Sequence, residues 1–220
     1  MSNGRPESES VQEAAAASAV VDPERLAALR ALNILDTPAD PSFDSIVEVA
    51  SEVCEAPTAL VSLIDSDRQW FKARVGFLPS QTTLDRSVCA HTLPRSDILV
   101  ICDLTADSRT SRNPLVTGPE GIRFYAGAPL ITTDGHHLGA LCVIDTKPRP
   151  DGLTHRQANV LRQLARQAVS QIELRRLLAQ RDDMVEHLRA ARDEAAEDRR
   201  RFSLLFDNAP SFIALKRGPN

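Results

Sequence analysis

Residues 153–209 contain neither glycine nor proline, so nothing in that stretch forces a helix to end. Its charges are dense and of both signs, as in "RRLLAQRDDMVEHLRAARDEAAEDRRR". Thr154 and Gln157 have capping-box spacing just ahead of an apolar periodicity, which predicts where the helix begins. Apolar residues recur at Leu161, Leu164, Ala168, Ile172, Leu174 and Leu177, then more thinly at Met184, Leu188, Ala191 and Ala195. From Leu174 the steps alternate three and four, a heptad-like seam weakened by Arg181 and the alanines. A helix so long with so narrow a stripe has no core of its own to lie on. A partner helix is the expected resting place, in a homodimer whose contacts are Leu161, Leu164, Ala168, Leu174, Leu177, Met184 and Leu188.

The chain ahead of this helix alternates helix and strand signals. Asp22-Pro23 and Asp40-Pro41 each open a helix: the Asp side chain accepts from free amides, and proline gives up a donor that has no partner. In the second helix Phe43, Ile46, Val47, Ala50, Val53 and Cys54 form one apolar stripe, which reads Cys54 as a small core residue. "TALVSLID" and "QWFKARVG" predict a hairpin across "SDR", with Trp70, Lys72 and Arg74 on one face and Phe71, Ala73 and Val75 on the other. "DILVICD" predicts a third strand. "FYAGAPLIT" and "HLGALCVID" predict two more, turned at Asp134-Gly135. The long polar connection "LTADSRTSRNPLVTGPEGIR" reads as a functional loop or a short helix.

Composition excludes several classes. The 220 residues are 42% hydrophobic and 25% charged, which suits one domain plus extra elements. A net charge of -4 gives no basic face for nucleic acid, and no apolar run is long enough for membrane insertion. Residues 1–20 lack the pattern of a signal peptide and predict a disordered tail on a cytoplasmic protein. The four cysteines, Cys54, Cys89, Cys102 and Cys142, are far apart, show no metal-ligand spacing and are expected to remain thiols. No metal or cofactor is expected.

"DRSVCAHTL" places Cys89 two positions before His91. A catalytic dyad needs thiolate and imidazole within hydrogen-bond reach, and on a helical turn residues two apart diverge. Contact with a small ligand is the better reading, above all for His91; packing is the alternative for Cys89. Asp103, Arg109, Arg112, Arg123 and Tyr125 flank the long loop. They form either a site for an anionic ligand or a set of loop-bracing ion pairs.

The stretches "RLAALRALNILDTPADPSFD", "ALVSLIDSDRQWFKARVG", "DRSVCAH", "NPLVTGPEGIRFYAGAPLITTDGHHLGALCVIDTKPR" and "LTHRQANVLRQLARQAV" together resemble the GAF domains of bacterial sensor histidine kinases and related signalling proteins. "FSLLFDNAPSFIAL" is similar to the opening of a PAS domain. The resemblance implies an α+β fold: a central antiparallel sheet of five to six strands flanked by helices, with a long C-terminal signalling helix. Residues 21–178 would be the GAF domain, 179–201 a coiled-coil linker and 202–220 the start of a PAS-like domain. It implies a small-molecule pocket between the sheet and the middle segment, with His91, Cys89, Asp103, Arg123, Tyr125 and Arg112 as candidate ligand residues. The Asn-Lys…Phe…Asp-Glu signature of cyclic-nucleotide binders is absent, and no cysteine stands near Arg112-Asn113-Pro114, where a bilin would attach. With no Gly-rich ATP-binding segment and no phosphoacceptor histidine, the implied role is a sensory module that is not itself an enzyme, acting on a downstream PAS or effector domain. A thiol-dependent reductase using Cys89 and a chromophore-binding photosensor are the alternatives.

Overall fold

The computed structural model describes residues 6–207. Helices α1 (Pro6–Val20), α2 (Pro23–Ala31) and α3 (Pro41–Val53) precede the hairpin of β1 (Thr58–Ile64) and β2 (Arg68–Val75), with a short β3 (Gln81–Thr83) beside it. Two 3-10 turns, Leu84–Arg86 and Cys89–Thr92, lead to β4 (Leu99–Ile101). After α4 (Pro114–Thr117), strands β5 (Phe124–Ile131) and β6 (His137–Asp145) close the sheet, and α5 (His155–Asp207) leaves it. The sheet has six strands in the order β3-β2-β1-β6-β5-β4, and every neighbouring pair is antiparallel.

The helix starts follow the sequence signals. Asp22 accepts from the Glu24 amide and Asp40 from the Ser42 amide, both at 2.9 Å. Asn113 does the same for Leu115 ahead of Pro114, which opens α4. At α5, Thr154 Oγ1 accepts from the Gln157 amide while Gln157 Oε1 accepts from the Thr154 amide, the reciprocal pair of a capping box.

Each face of the sheet has its own apolar layer. Leu63 of β1, Ala126 and Ala128 of β5 and Leu141 of β6 point toward α3 and the start of α5, where Phe43, Ile46, Leu161, Ala168 and Ile172 are buried. Leu60, Phe71, Tyr125 and Cys142 point the other way, under the segment that carries Cys89, Leu93, Leu104 and Ile122. The expected alternation along β2 fails at one place. Val61 pairs with Ala73 and Ser62 with Phe71, so Lys72 is an extra residue, a β-bulge. The bulge shifts the phase and puts Ala73 on Trp70's face rather than Phe71's. Lys72 Nζ is buried there, donating to Thr37 Oγ1 at 2.8 Å and the Pro38 carbonyl at 2.7 Å, and lies 5.4 Å from the centre of the Phe43 ring.

Two expectations are corrected. Residues 6–20 are helical rather than a disordered tail: the run "EAAAASAV" is rich in the strongest helix former, and Ala16 and Val20 are buried. Arg25 anchors that helix, donating to the carbonyls of Ala19 at 2.8 Å, Val20 at 2.7 Å and Ile64 at the end of β1 at 2.7 Å. Second, Leu161 and Ala168 are fully buried against the sheet of their own chain, so these two are not free for a dimer contact, while Leu164 is half-buried at the edge of the same layer. The first turns of α5 do have a core to lie on, because β5 and β6 offer an apolar face. The stretch expected to open a PAS-like domain begins within α5, which runs to Asp207, and its residues 208–220 lie outside the described residues.

The chain divides into two units, Met1–Arg176 and Leu177–Asn220. In the described part of the second unit α5 exposes Leu177, Met184 and Leu188. No helix among the described residues is long and apolar enough to cross a membrane.

Candidate functional site

The 3-10 turn Cys89–Thr92 divides two cavities. Cys89 faces the sheet side, where it is fully buried, and His91 faces the opposite side, toward α1. The sequence candidates fall into three groups around this turn.

His91 and Arg112 belong to the outer cavity, of about 460 Å³, with Arg109, Ser87 and Asn113 on its walls and Glu13 and Ala17 of α1 across from them. Among the described residues the buried Nδ1 of His91 has no hydrogen-bond partner. An unsatisfied buried polar atom costs about 1–3 kcal/mol, so a ligand that reaches Nδ1 recovers that cost on binding. Burial, and after it the Arg109 guanidinium, hold the imidazole below its ordinary pKa, against the opposing fields of Asp107 and Glu13. The ring is therefore neutral at neutral pH and presents Nδ1 as donor or acceptor according to tautomer. Arg109 is occupied by Asp107, with Nε and Nη2 on the two carboxylate oxygens at 2.8 and 2.5 Å. Arg112 forms no ion pair with a described carboxylate. It is the cation this cavity offers to an acidic group.

Cys89 and Tyr125 belong to the inner cavity, of about 200 Å³, against the sheet. Its apolar wall includes Leu60, Phe71, Leu115 and Ile144; Gln69 and Thr82 are among its polar points, with the Arg86–Glu120 ion pair also on its lining. The Oγ1 of Thr82 is also buried without a partner among the described residues. Gln69 Nε2 donates to Ser62 Oγ at 2.7 Å, and the hydroxyls of Tyr125 and Thr92 share a bond of 3.0 Å. Gly127 makes room for that hydroxyl, because a Cβ there would stand 2.2 Å from Tyr125 Oη. Burial first, and then the two neighbouring cysteines, raise the phenol pKa well above its ordinary value. Cys89 Sγ lies 3.5 Å from Cys142 Sγ. The bond between the thiols lowers Cys89 and raises Cys142, with burial pushing Cys142 further in the same direction.

Asp103 and Arg123 belong to neither cavity. They bind each other through two bonds of 2.9 and 2.6 Å, and Arg123 holds the Asp103 carboxyl well below the usual carboxylate range. The anionic-ligand reading fails for this pair because the arginine already carries its carboxylate; the loop-bracing alternative is what the structure contains. Sequence reasoning passed over Glu13, Ser87, Thr82 and Cys142. The first stands on a segment read as disordered, and the others acquire their neighbours only when the middle segment folds back on the sheet. Among the described residues no three His, Cys, Asp or Glu side chains converge as a metal site.

A sheet with this order, carrying one cavity under its folded-back middle segment, matches the GAF domain model over residues 38–172. The chain belongs to the GAF family. The chain is 40% identical over 141 residues to a cyclic di-GMP phosphodiesterase of Pseudomonas aeruginosa, an alignment that covers 64% of this chain and 24% of the relative's length. The chain thus spans about a quarter of that protein. Among solved structures, the GAF domain of Thermosynechococcus elongatus PixJ in its blue-light absorbing form superposes with a TM-score of 0.53 at 16% identity, over 76% of this chain and 98% of that one. That similarity is one of fold. The GAF assignment makes the chain a sensory or regulatory domain. The expectation that it is not an enzyme is corrected by the Pseudomonas relative, whose name is that of an enzyme.

Proposed function

We propose that this GAF domain senses a small polar molecule carrying one acidic group, held in the outer cavity between the Cys89–Thr92 turn and α1. The observation that carries the reading is the buried, unpartnered Nδ1 of His91 on the wall of a cavity of about 460 Å³. The ligand's polar end would meet Nδ1, its acidic group Arg112, and its opposite side the carboxylate of Glu13 on α1. Filling the cavity would set the position of α1, which Arg25 ties to the end of β1. The signal would leave through α5, with Leu174, Leu177, Met184 and Leu188 as the seam of a parallel or antiparallel helix pair between two copies.

For the output, the 40% identical phosphodiesterase supports hydrolysis of cyclic di-GMP by the full protein over the histidine kinase that the sequence alone brings to mind. The experiment is to place His91→Ala in the gene in its own host and measure cellular cyclic di-GMP. The reading expects a several-fold change in the nucleotide level with the protein's abundance unchanged. An unchanged level at equal abundance refutes it.

A further inference from the structure

We infer that Cys89 and Cys142 form a dithiol that a hydroperoxide closes to a disulfide, pinning the 3-10 turn to the sheet. The two sulfurs are 3.5 Å apart and the side chains are fully buried, so no rotation into solvent is needed for them to meet. Cys142 is fixed at the middle of the sheet, opposite Leu60 of β1 and Gly127 of β5. Cys89 sits on a one-turn 3-10 helix, an element type with poorer hydrogen-bond geometry than the strand that carries Cys142. A disulfide needs its sulfurs about 2.05 Å apart. The sulfurs must therefore close by more than an ångström, through rotation of the two side chains or a shift of the turn toward β6.

The inner cavity supplies the entry. Cys89 lines it, whereas Cys142 lies behind, which fixes the order of events. The Cys89 thiolate attacks one peroxide oxygen, the O–O bond breaks, and its electron pair leaves on the far oxygen, which takes the proton given up by the Cys89 thiol and departs as an alcohol, or as water from hydrogen peroxide. Cys89 is then a sulfenic acid. The Cys142 sulfur attacks it, the S–S bond forms, the S–O bond breaks, and hydroxide leaves with the Cys142 proton as water. Two thiols and one hydroperoxide give one disulfide, one alcohol and one water. The Cys142 thiol first, and then Tyr125, Ser62 and Gln69, favour the anionic form of the Cys89 sulfur, against burial, which opposes it. The other two cysteines serve as internal controls: Cys54 is buried on the opposite face with its thiol pushed up to about 11, and Cys102 is only half-buried.

The test exposes the folded, reduced chain to a few equivalents of hydrogen peroxide and reads intact mass and a non-reducing peptide map. The expected result is a loss of two hydrogens, a cross-link between the Cys89 and Cys142 peptides, and full reversal by dithiothreitol. Cys142→Ser, checked for folding by circular dichroism, should lose the cross-link and instead gain one oxygen at Cys89, trapped by dimedone. If that variant does not fold, Cys142→Ala takes its place. Four free thiols after a peroxide exposure that oxidises the urea-unfolded chain would overturn the inference. So would a cross-link that uses Cys54 or Cys102.

Discussion

The hydroxyls of Thr92 and Tyr125 lie 3.0 Å apart with both residues fully buried, and this bond joins the turn between the two cavities to strand β5. Tyr125→Phe leaves the Thr92 hydroxyl without its partner and is expected to cost about 1–3 kcal/mol. Adding Thr92→Val removes the orphan and should restore part of the loss. Urea denaturation of the two single variants and the double gives the coupling energy; additive losses would refute the pairing.

Arg25 is buried and spends its guanidinium on backbone carbonyls, two from α1, one from the end of β1 and, at 3.5 Å, one from the start of β6. Lysine has a single compact donor group and cannot span them. Arg25→Lys should cost about 1.5–3 kcal/mol and release α1. Hydrogen exchange at residues 13–20 reads this directly, with the amides losing protection while β5 and β6 keep theirs.

Two leucines on α5 should behave in opposite ways. Leu161 is fully buried on the sheet, so Leu161→Ala is expected to destabilise the fold by about 2–5 kcal/mol. Leu188 is 63% exposed, so Leu188→Glu should leave thermal stability of the GAF domain unchanged and shift the chain from dimer to monomer in sedimentation velocity. A monomer for both the parent and the variant would remove the helix-pair proposal.

His91 gives the stability a dependence on pH of known sign. Its folded pKa is lowered, so as pH falls below the ordinary imidazole value, about 6.5, the unfolded chain takes up a proton that the folded one refuses. Stability should therefore fall from pH 7 to pH 5, before the carboxylates titrate. His137, also lowered by burial, contributes in the same direction. His91→Gln should flatten the profile in that window and leave the His137 share. An identical profile in the variant would place the titration elsewhere.

Much of the fold was legible because local chemistry fixed it. Asp22, Asp40 and Thr154 satisfy amides within three residues of themselves, so their spacing alone located three helix starts. The Lys72 bulge was not legible: an extra residue in one strand depends on how the partner strand pairs, and β2 reads as an unbroken alternation. Helix α1 was missed because its burial rests on small residues, Ala16 and Val20, that composition counts as weak. At the site, His91 and Arg112 were found by type and placed together, while Asp103 and Arg123 looked equally suitable until they proved to neutralise each other. Sequence shows that a residue can meet a ligand; only packing shows whether a neighbour already does.

Native mass spectrometry of the chain purified from its own host tests the sensory claim most directly. The expected result is a small-molecule adduct on the wild-type protein, and its loss from both His91→Ala and Arg112→Ala with their folds intact. A wild-type chain at its bare mass, or an adduct retained by both variants, would contradict it.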